Sequence, residues 1–148
     1  MNRKSWFLDT SVTIRVSFED GSNNISVLEH LARQGDSPPL HTHEAEDEIF
    51  HILEGECLVH VDGKERVGES GDILIAQRGK PHTYRVESET ARFLTITGGR
   101  DFERLVRSVG RPAEGEGGLK SRVLRHPSRL RRWRPPASNS VSHLSGRR

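Results

Sequence analysis

Glycine-bearing turns cut the first two-thirds of this chain into pieces too short for helices. They fall at residues 20–21, 35–38, 54–55, 62–63, 68–71 and 79–81. The segments between them are rich in β-branched residues or alternate apolar with polar positions, so strands are expected at 11–18, 25–32, 49–53, 57–61, 64–67, 73–76, 82–86 and 91–97. Asp62 followed by Gly63 is a strong hairpin signal between two of them. About eight or nine short strands with no helix among them imply an all-β fold, a jelly-roll sandwich or barrel. One helix follows. In 101–109 the apolar residues Phe102, Leu105, Val106 and Val109 recur at helical spacing, Asp101 is suited to cap the start, and Gly110 and Pro112 stop it.

Chemistry concentrates between Gly35 and Gly55, in GDSPPLHTHEAEDEIFHILEG. His41 and His43 stand two apart, and in extended chain residues i and i+2 share a face, so both imidazoles can converge on one ion. Pro38 and Pro39 favour that extended conformation. Glu44, Glu46 and Asp47 read as a solvated turn, and Glu48 opens an apolar run from which its carboxylate can reach back to the histidine pair. By strand parity Phe50 and Ile52 face the same way as Glu48, while Ile49, His51 and Leu53 face outward. His30 and His60 have no partner spacing and are read as structural.

The same residues resemble the first motif of the cupin superfamily, G-x5-H-x-H-x4-E-x6-G, filled here by Gly35, His41, His43, Glu48 and Gly55. A second motif of the form G-x5-P-x-G-x2-H-x3-N is matched by Gly71, Gly79 and His82, with Gln77 in place of proline and Val86 in place of asparagine. The resemblance covers roughly residues 5–110 and is to small single-domain cupins of the quercetin 2,3-dioxygenase type. It implies a metal site made by His41, His43, Glu48 and His82. Three imidazoles and a carboxylate suit one divalent first-row transition metal ion per chain, Fe, Mn, Co, Ni, Cu or Zn, rather than Mg or Ca. Phe50 and, by its parity with His82, Tyr84 are the expected substrate-pocket residues, the Tyr84 hydroxyl being available to a substrate oxygen; packing in the core is the equal alternative for both.

Charge divides the chain. Residues 1–110 carry 13 basic and 19 acidic side chains, whereas 111–148 carry 10 basic and 2 acidic. The first part, with a net charge of −6, has no electrostatic footprint for nucleic acid, so no specific nucleic-acid partner is expected. The second part is expected to be a disordered basic tail, placing the domain boundary at 110. Cys57 is the only cysteine, which excludes an internal disulfide and argues against thiolate ligation. No apolar run is long enough for a membrane span, and a cytoplasmic location is the default reading.

The ligand set admits several functions. A redox-active ion with open positions suits a dioxygenase acting on a small enolic or phenolic substrate. Glu48 is then the candidate catalytic base, on the expectation that an apolar pocket raises its pKa. The alternatives are a non-catalytic, metal-stabilised module that binds or senses a small molecule, and a non-redox isomerase or hydrolase. A homodimer is expected from the resemblance and from the outward apolar face bearing Ile49 and Leu53.

Overall fold

The computed structural model of the protein describes residues 3–7 and 10–112. The expectations for the basic tail beyond Pro112 lie outside the described residues. Ten strands are found among them: β1 (Lys4–Phe7), β2 (Thr10–Val16), β3 (Ser26–Arg33), β4 (Glu48–Glu54), β5 (Glu56–Val61), β6 (Lys64–Glu69), β7 (Ile73–Ala76), β8 (His82–Val86), β9 (Thr90–Thr97) and β10 (Arg111–Pro112). One helix, α1 (Asp101–Val109), follows β9. The strands form a seven-stranded sheet ordered β10-β1-β2-β3-β9-β4-β7 and a three-stranded sheet ordered β6-β5-β8, the jelly-roll architecture expected. No described helix is long and apolar enough to cross a membrane.

Two buried clusters divide the inner face of the large sheet. Ala32 of β3, Phe50 and Ile52 of β4, and Phe93 of β9 pack against Cys57 and Val59 of β5 and Val86 of β8, which joins the two sheets. Val12 and Ile14 of β2 and Leu28 of β3 pack against Phe102 and Val106 of α1. The small sheet thus covers one part of the large sheet and the helix another.

The local reasons are legible. Asp62 and Gly63 both take positive φ, 51° and 79°, the conformation of a two-residue hairpin whose twist suits the strands it joins. Gly55, at φ 83°, turns β4 into β5 where a Cβ would collide with the Thr90 carbonyl. The turn lacking the motif proline forms without it. The Lys80 N–H donates to the Gln77 carbonyl at 3.1 Å, with Gly79 at φ 77°. Val86, in the asparagine position, is 1% exposed and belongs to the core.

Three features differ from the sequence reading. Strands β1 and β10 were not foreseen, and they pair with each other, so the sheet extends past the boundary expected at residue 110. Residue 101 is not the cap: Arg100 occupies that position without a side-chain bond, and the Phe102 N–H donates instead to the carboxylate of Glu46 at 2.7 Å. Of the expected apolar stripe, Phe102 and Val106 are buried, whereas Leu105 and Val109 are exposed, and the charged Glu103 is fully buried.

Candidate metal centre and cavity

The segment carrying the histidine pair lies beside β8. Its backbone is pinned there by Val86 N–H to Asp36 O at 3.0 Å, Gly35 N–H to Val86 O at 2.9 Å, and Gly79 N–H to His43 O at 2.8 Å. Between these, His41 and His82 exchange both backbone hydrogen bonds, at 3.1 and 2.8 Å. Two residues forty-one positions apart are therefore neighbours through main-chain bonds that do not depend on their side chains.

On the inner side, the ligand atoms of His41, His43, Glu48 and His82 all lie within 4.8 Å of one another. The carbonyl oxygens of Pro39 and Lys80 fix two of the rings. Each can only accept, so Nδ1–H of His41 donates to Pro39 O at 2.8 Å and Nδ1–H of His82 donates to Lys80 O at 2.9 Å. That leaves the Nε2 atoms for the centre of the cluster, the arrangement in which an outer acceptor orients a metal-binding imidazole. Glu48 Oε2 lies 2.8 Å from His82 Nε2 and 3.3 Å from His43 Nε2, although the His43 nitrogen is not aligned to make a hydrogen bond. A nitrogen lone pair and a carboxylate lone pair cannot face each other at 2.8 Å, so His82 Nε2 must carry a proton or meet a cation. The donor set fits a first-row metal ion.

The electrostatics of Glu48 differ from the sequence expectation. Burial pushes its pKa up, but the adjacent His43 and His82 imidazoles outweigh burial and hold it down at about 2. An apolar pocket alone would have raised it. The same balance raises His43, where burial opposes the charged form and Glu48, Glu46 and Asp101 favour it. For His41 burial prevails and lowers the pKa.

A cavity of about 460 Å³ opens at the cluster, within the size range of small-molecule sites. Phe50 and Tyr84 line it, and both also pack in the core between the sheets. The Tyr84 hydroxyl is not idle: it donates to Asp36 Oδ2 at 3.2 Å, so its proton is committed within the protein. Phe102 and Leu105 of α1 also line the cavity, which accounts for an apolar residue at the exposed position 105.

Glu46 was misread in the sequence, and His30 has a place at the cavity that its spacing did not announce. Glu46 is 2% exposed, not part of a solvated turn; its Oε1 accepts from the Phe102 N–H and stands 3.6 Å from His43 Nδ1, tying the start of α1 to the histidine cluster. His30 is 3% exposed and lines the cavity. Burial lowers its pKa from 6.5 to about 4. Between those values the unfolded chain binds more protons than the folded one, so the stability due to a neutral His30 is complete above about pH 6.5 and is lost as pH falls toward 4. Denaturant unfolding should show that His30→Phe reduces the stability lost between about pH 7.5 and pH 5 by roughly 2 kcal/mol. An unchanged loss would mean that His30 is not buried as a neutral ring.

The chain is similar to known proteins. The cupin domain family matches residues 27–97 of this chain. The chain is 32% identical over 79 residues to the quercetin 2,3-dioxygenase of Bacillus subtilis (strain 168), covering 53% of this chain and 23% of that enzyme. It is 41% identical over 63 residues to an oxalate-binding protein of Thermotoga maritima, covering 42% of this chain and 52% of that protein. The chain thus spans about half of one curated relative and about a quarter of the other. Among solved structures, a Thermotoga maritima protein described as a predicted oxalate decarboxylase superposes with a TM-score of 0.56 at 28% identity, over 60% of this chain and 78% of that one. With the family match, the two-sheet jelly roll and the inward His/Glu cluster in agreement, the chain belongs to the cupin superfamily.

Proposed function

We propose that this chain holds one divalent first-row transition metal ion with His41, His43, His82 and Glu48, and acts as a dioxygenase on a small enolic or phenolic molecule bound in the adjoining cavity. The observation that carries the reading is the convergence of three imidazoles and one carboxylate within 4.8 Å at the wall of a cavity of about 460 Å³. When bound, such an ion supplies Lewis acidity toward an enolate or phenolate oxygen and, where redox-active, electrons for dioxygen. The chain's own residues supply the rest. Phe50, Phe102, Leu105, Pro38 and Pro39 give the cavity apolar lining that suits a flat aromatic ring. Glu48, with a pKa of about 2, is ionised at neutral pH and serves as an anionic metal ligand; so low a pKa makes it a poor general base.

A second reading is favoured by the 41% identity to an oxalate-binding protein: a non-catalytic module in which the ion captures a small oxygen-rich ligand. Elemental analysis of the protein as isolated, followed by oxygen uptake with a flavonol or a β-diketone, separates the two. Iron, manganese, nickel or copper with oxygen uptake supports the dioxygenase. Tightly held zinc without turnover supports binding, or non-redox isomerase or hydrolase chemistry. Absence of stoichiometric metal contradicts both. The same preparation tests the proposed homodimer by light scattering, the candidate contact being the outward face where Ile73 and Ile75 of β7 are 60% and 50% exposed beside Ile49.

A further inference from the structure

Some buried polar side-chain atoms have no hydrogen-bond partner among the described residues, and two of them belong to the cavity wall: His43 Nε2 and His30 Nδ1. The first faces the metal cluster. The second lies elsewhere on the wall, on a ring that the protein holds rigidly. His30 stacks on Phe93 with centroids 4.8 Å apart and planes 4° apart, runs nearly parallel to Phe102 at 6.2 Å, and has its Nε2 fixed by Thr95 Oγ1 at 2.8 Å. Thr95 also lines the cavity. A polar atom buried in apolar surroundings is costly unless something pairs with it, and the aromatic residues around His30 offer nothing that does. A ligand in the cavity would.

Position sets the span. His30 lies opposite Phe93 of β9 and Glu48 opposite Thr97 of the same strand, so the two backbones are two strand spacings apart across the sheet and offset along it, while the His30 and His43 rings stand 6.2 and 5.5 Å from the Phe102 ring that lies beside both. We propose that His30, oriented by Thr95, is a specificity-determining residue: its Nδ1 bonds an oxygen substituent on the end of the substrate remote from the metal cluster. This rests on the proposed binding of an enolic or phenolic group at the cluster and narrows the substrate class. The molecule is elongated and aromatic, with a chelating enol or catechol at one end and a second hydroxyl or oxo group at the other. Burial keeps the His30 ring neutral at physiological pH, so Nδ1 accepts from a hydroxyl or donates to an oxo group according to its tautomer.

A matched pair of probes tests this on the zinc-loaded full chain. Calorimetry compares 4-phenylcatechol with 4-(4-hydroxyphenyl)catechol, which differ only in the remote hydroxyl. The wild-type chain should prefer the hydroxylated probe by roughly 5- to 30-fold, and His30→Phe, which keeps the stacked ring, should abolish that preference. Long-range proton–nitrogen NMR of the wild-type chain supplies a readout independent of the variant's folding: the His30 Nδ1 resonance should move with the hydroxylated probe and not with its partner. Equal wild-type affinity for both probes, a preference that survives in His30→Phe, or an unmoved Nδ1 resonance overturns the inference. If the zinc-loaded chain binds neither probe, the proposed catecholate site itself is wrong.

Discussion

Replacing His82 by alanine is expected to strip the protein of its metal. The substitution removes one of three imidazoles and leaves Glu48 facing His43 alone in a site where both carboxylate and ring are nearly inaccessible to water. Substitutions of residues that merely support a ligand commonly weaken binding by 10- to 100-fold, so loss of a ligand should cost at least about 100-fold in affinity. The fold should survive, because the bridge between His41 and His82 uses backbone atoms. His51→Ala is the control: this ring lies on the outward face of β4, shares no contact with the cluster and should leave metal content unchanged. Equal metal content in His82→Ala and the parent protein would remove His82 from the site.

Glu103→Ala is expected to have the largest effect on stability. Glu103 is 0% exposed and its carboxylate accepts from Ser17 Oγ at 2.7 Å, the Phe18 N–H at 2.9 Å, Ser26 Oγ, and Arg107 Nη2 at 2.7 Å. Burial disfavours its charge, but these donors prevail and lower its pKa. The residue therefore bolts α1 to β3 and to the segment after β2. Alanine would leave the Phe18 N–H and two serine hydroxyls buried without their acceptor and deprive Arg107 of its carboxylate. Breaking a buried charged network in this way costs about 3–5 kcal/mol, which for a domain of this size lowers Tm on the order of 20 °C. Glu103→Gln, keeping an acceptor oxygen, should lose distinctly less. A calorimetric Tm within a few degrees of the parent for Glu103→Ala would contradict this account of how the helix is held.

The Glu103 case shows what the sequence could and could not convey. Strands announced themselves through turn chemistry and alternation, which are local: the ranges 73–76, 82–86 and 101–109 coincide with β7, β8 and α1. The cluster of His41, His43, Glu48 and His82 was legible because its spacing is a family pattern and because parity places each side chain on the inner face. Contacts between residues remote in sequence left no local sign. Glu103 meets Ser17 and Ser26 from 86 and 77 positions away, and Glu46, read as part of a solvated turn, meets the Phe102 N–H from 56. His30 was set aside for want of a neighbouring ligand, yet its partner Thr95 is 65 residues distant on an adjacent strand. The sign of the Glu48 shift failed for a related reason: burial can be guessed from an apolar run, but the two histidines that outweigh it arrive only through folding. Strands β1 and β10 stayed hidden because each is short and is stabilised by pairing with the other.

Coupling between the helix and the metal cluster follows from the same geometry. Glu46 joins the start of α1 to the neighbourhood of His43, Phe102 packs edge-on against the His43 ring at 5.5 Å, and Leu105 of the same helix lines the cavity. Loosening α1 should therefore disturb ligand binding as well as stability.

The central claim, that four side chains drawn from two distant segments enclose one ion, is tested most directly by anomalous diffraction at the metal absorption edge on crystals of the metal-loaded protein. The account predicts one peak per chain at bonding distance, about 2.0–2.2 Å, from a ring nitrogen of each of His41, His43 and His82 and from a Glu48 carboxylate oxygen. A peak elsewhere on the chain, or one from which any of the three rings is turned away, would contradict it.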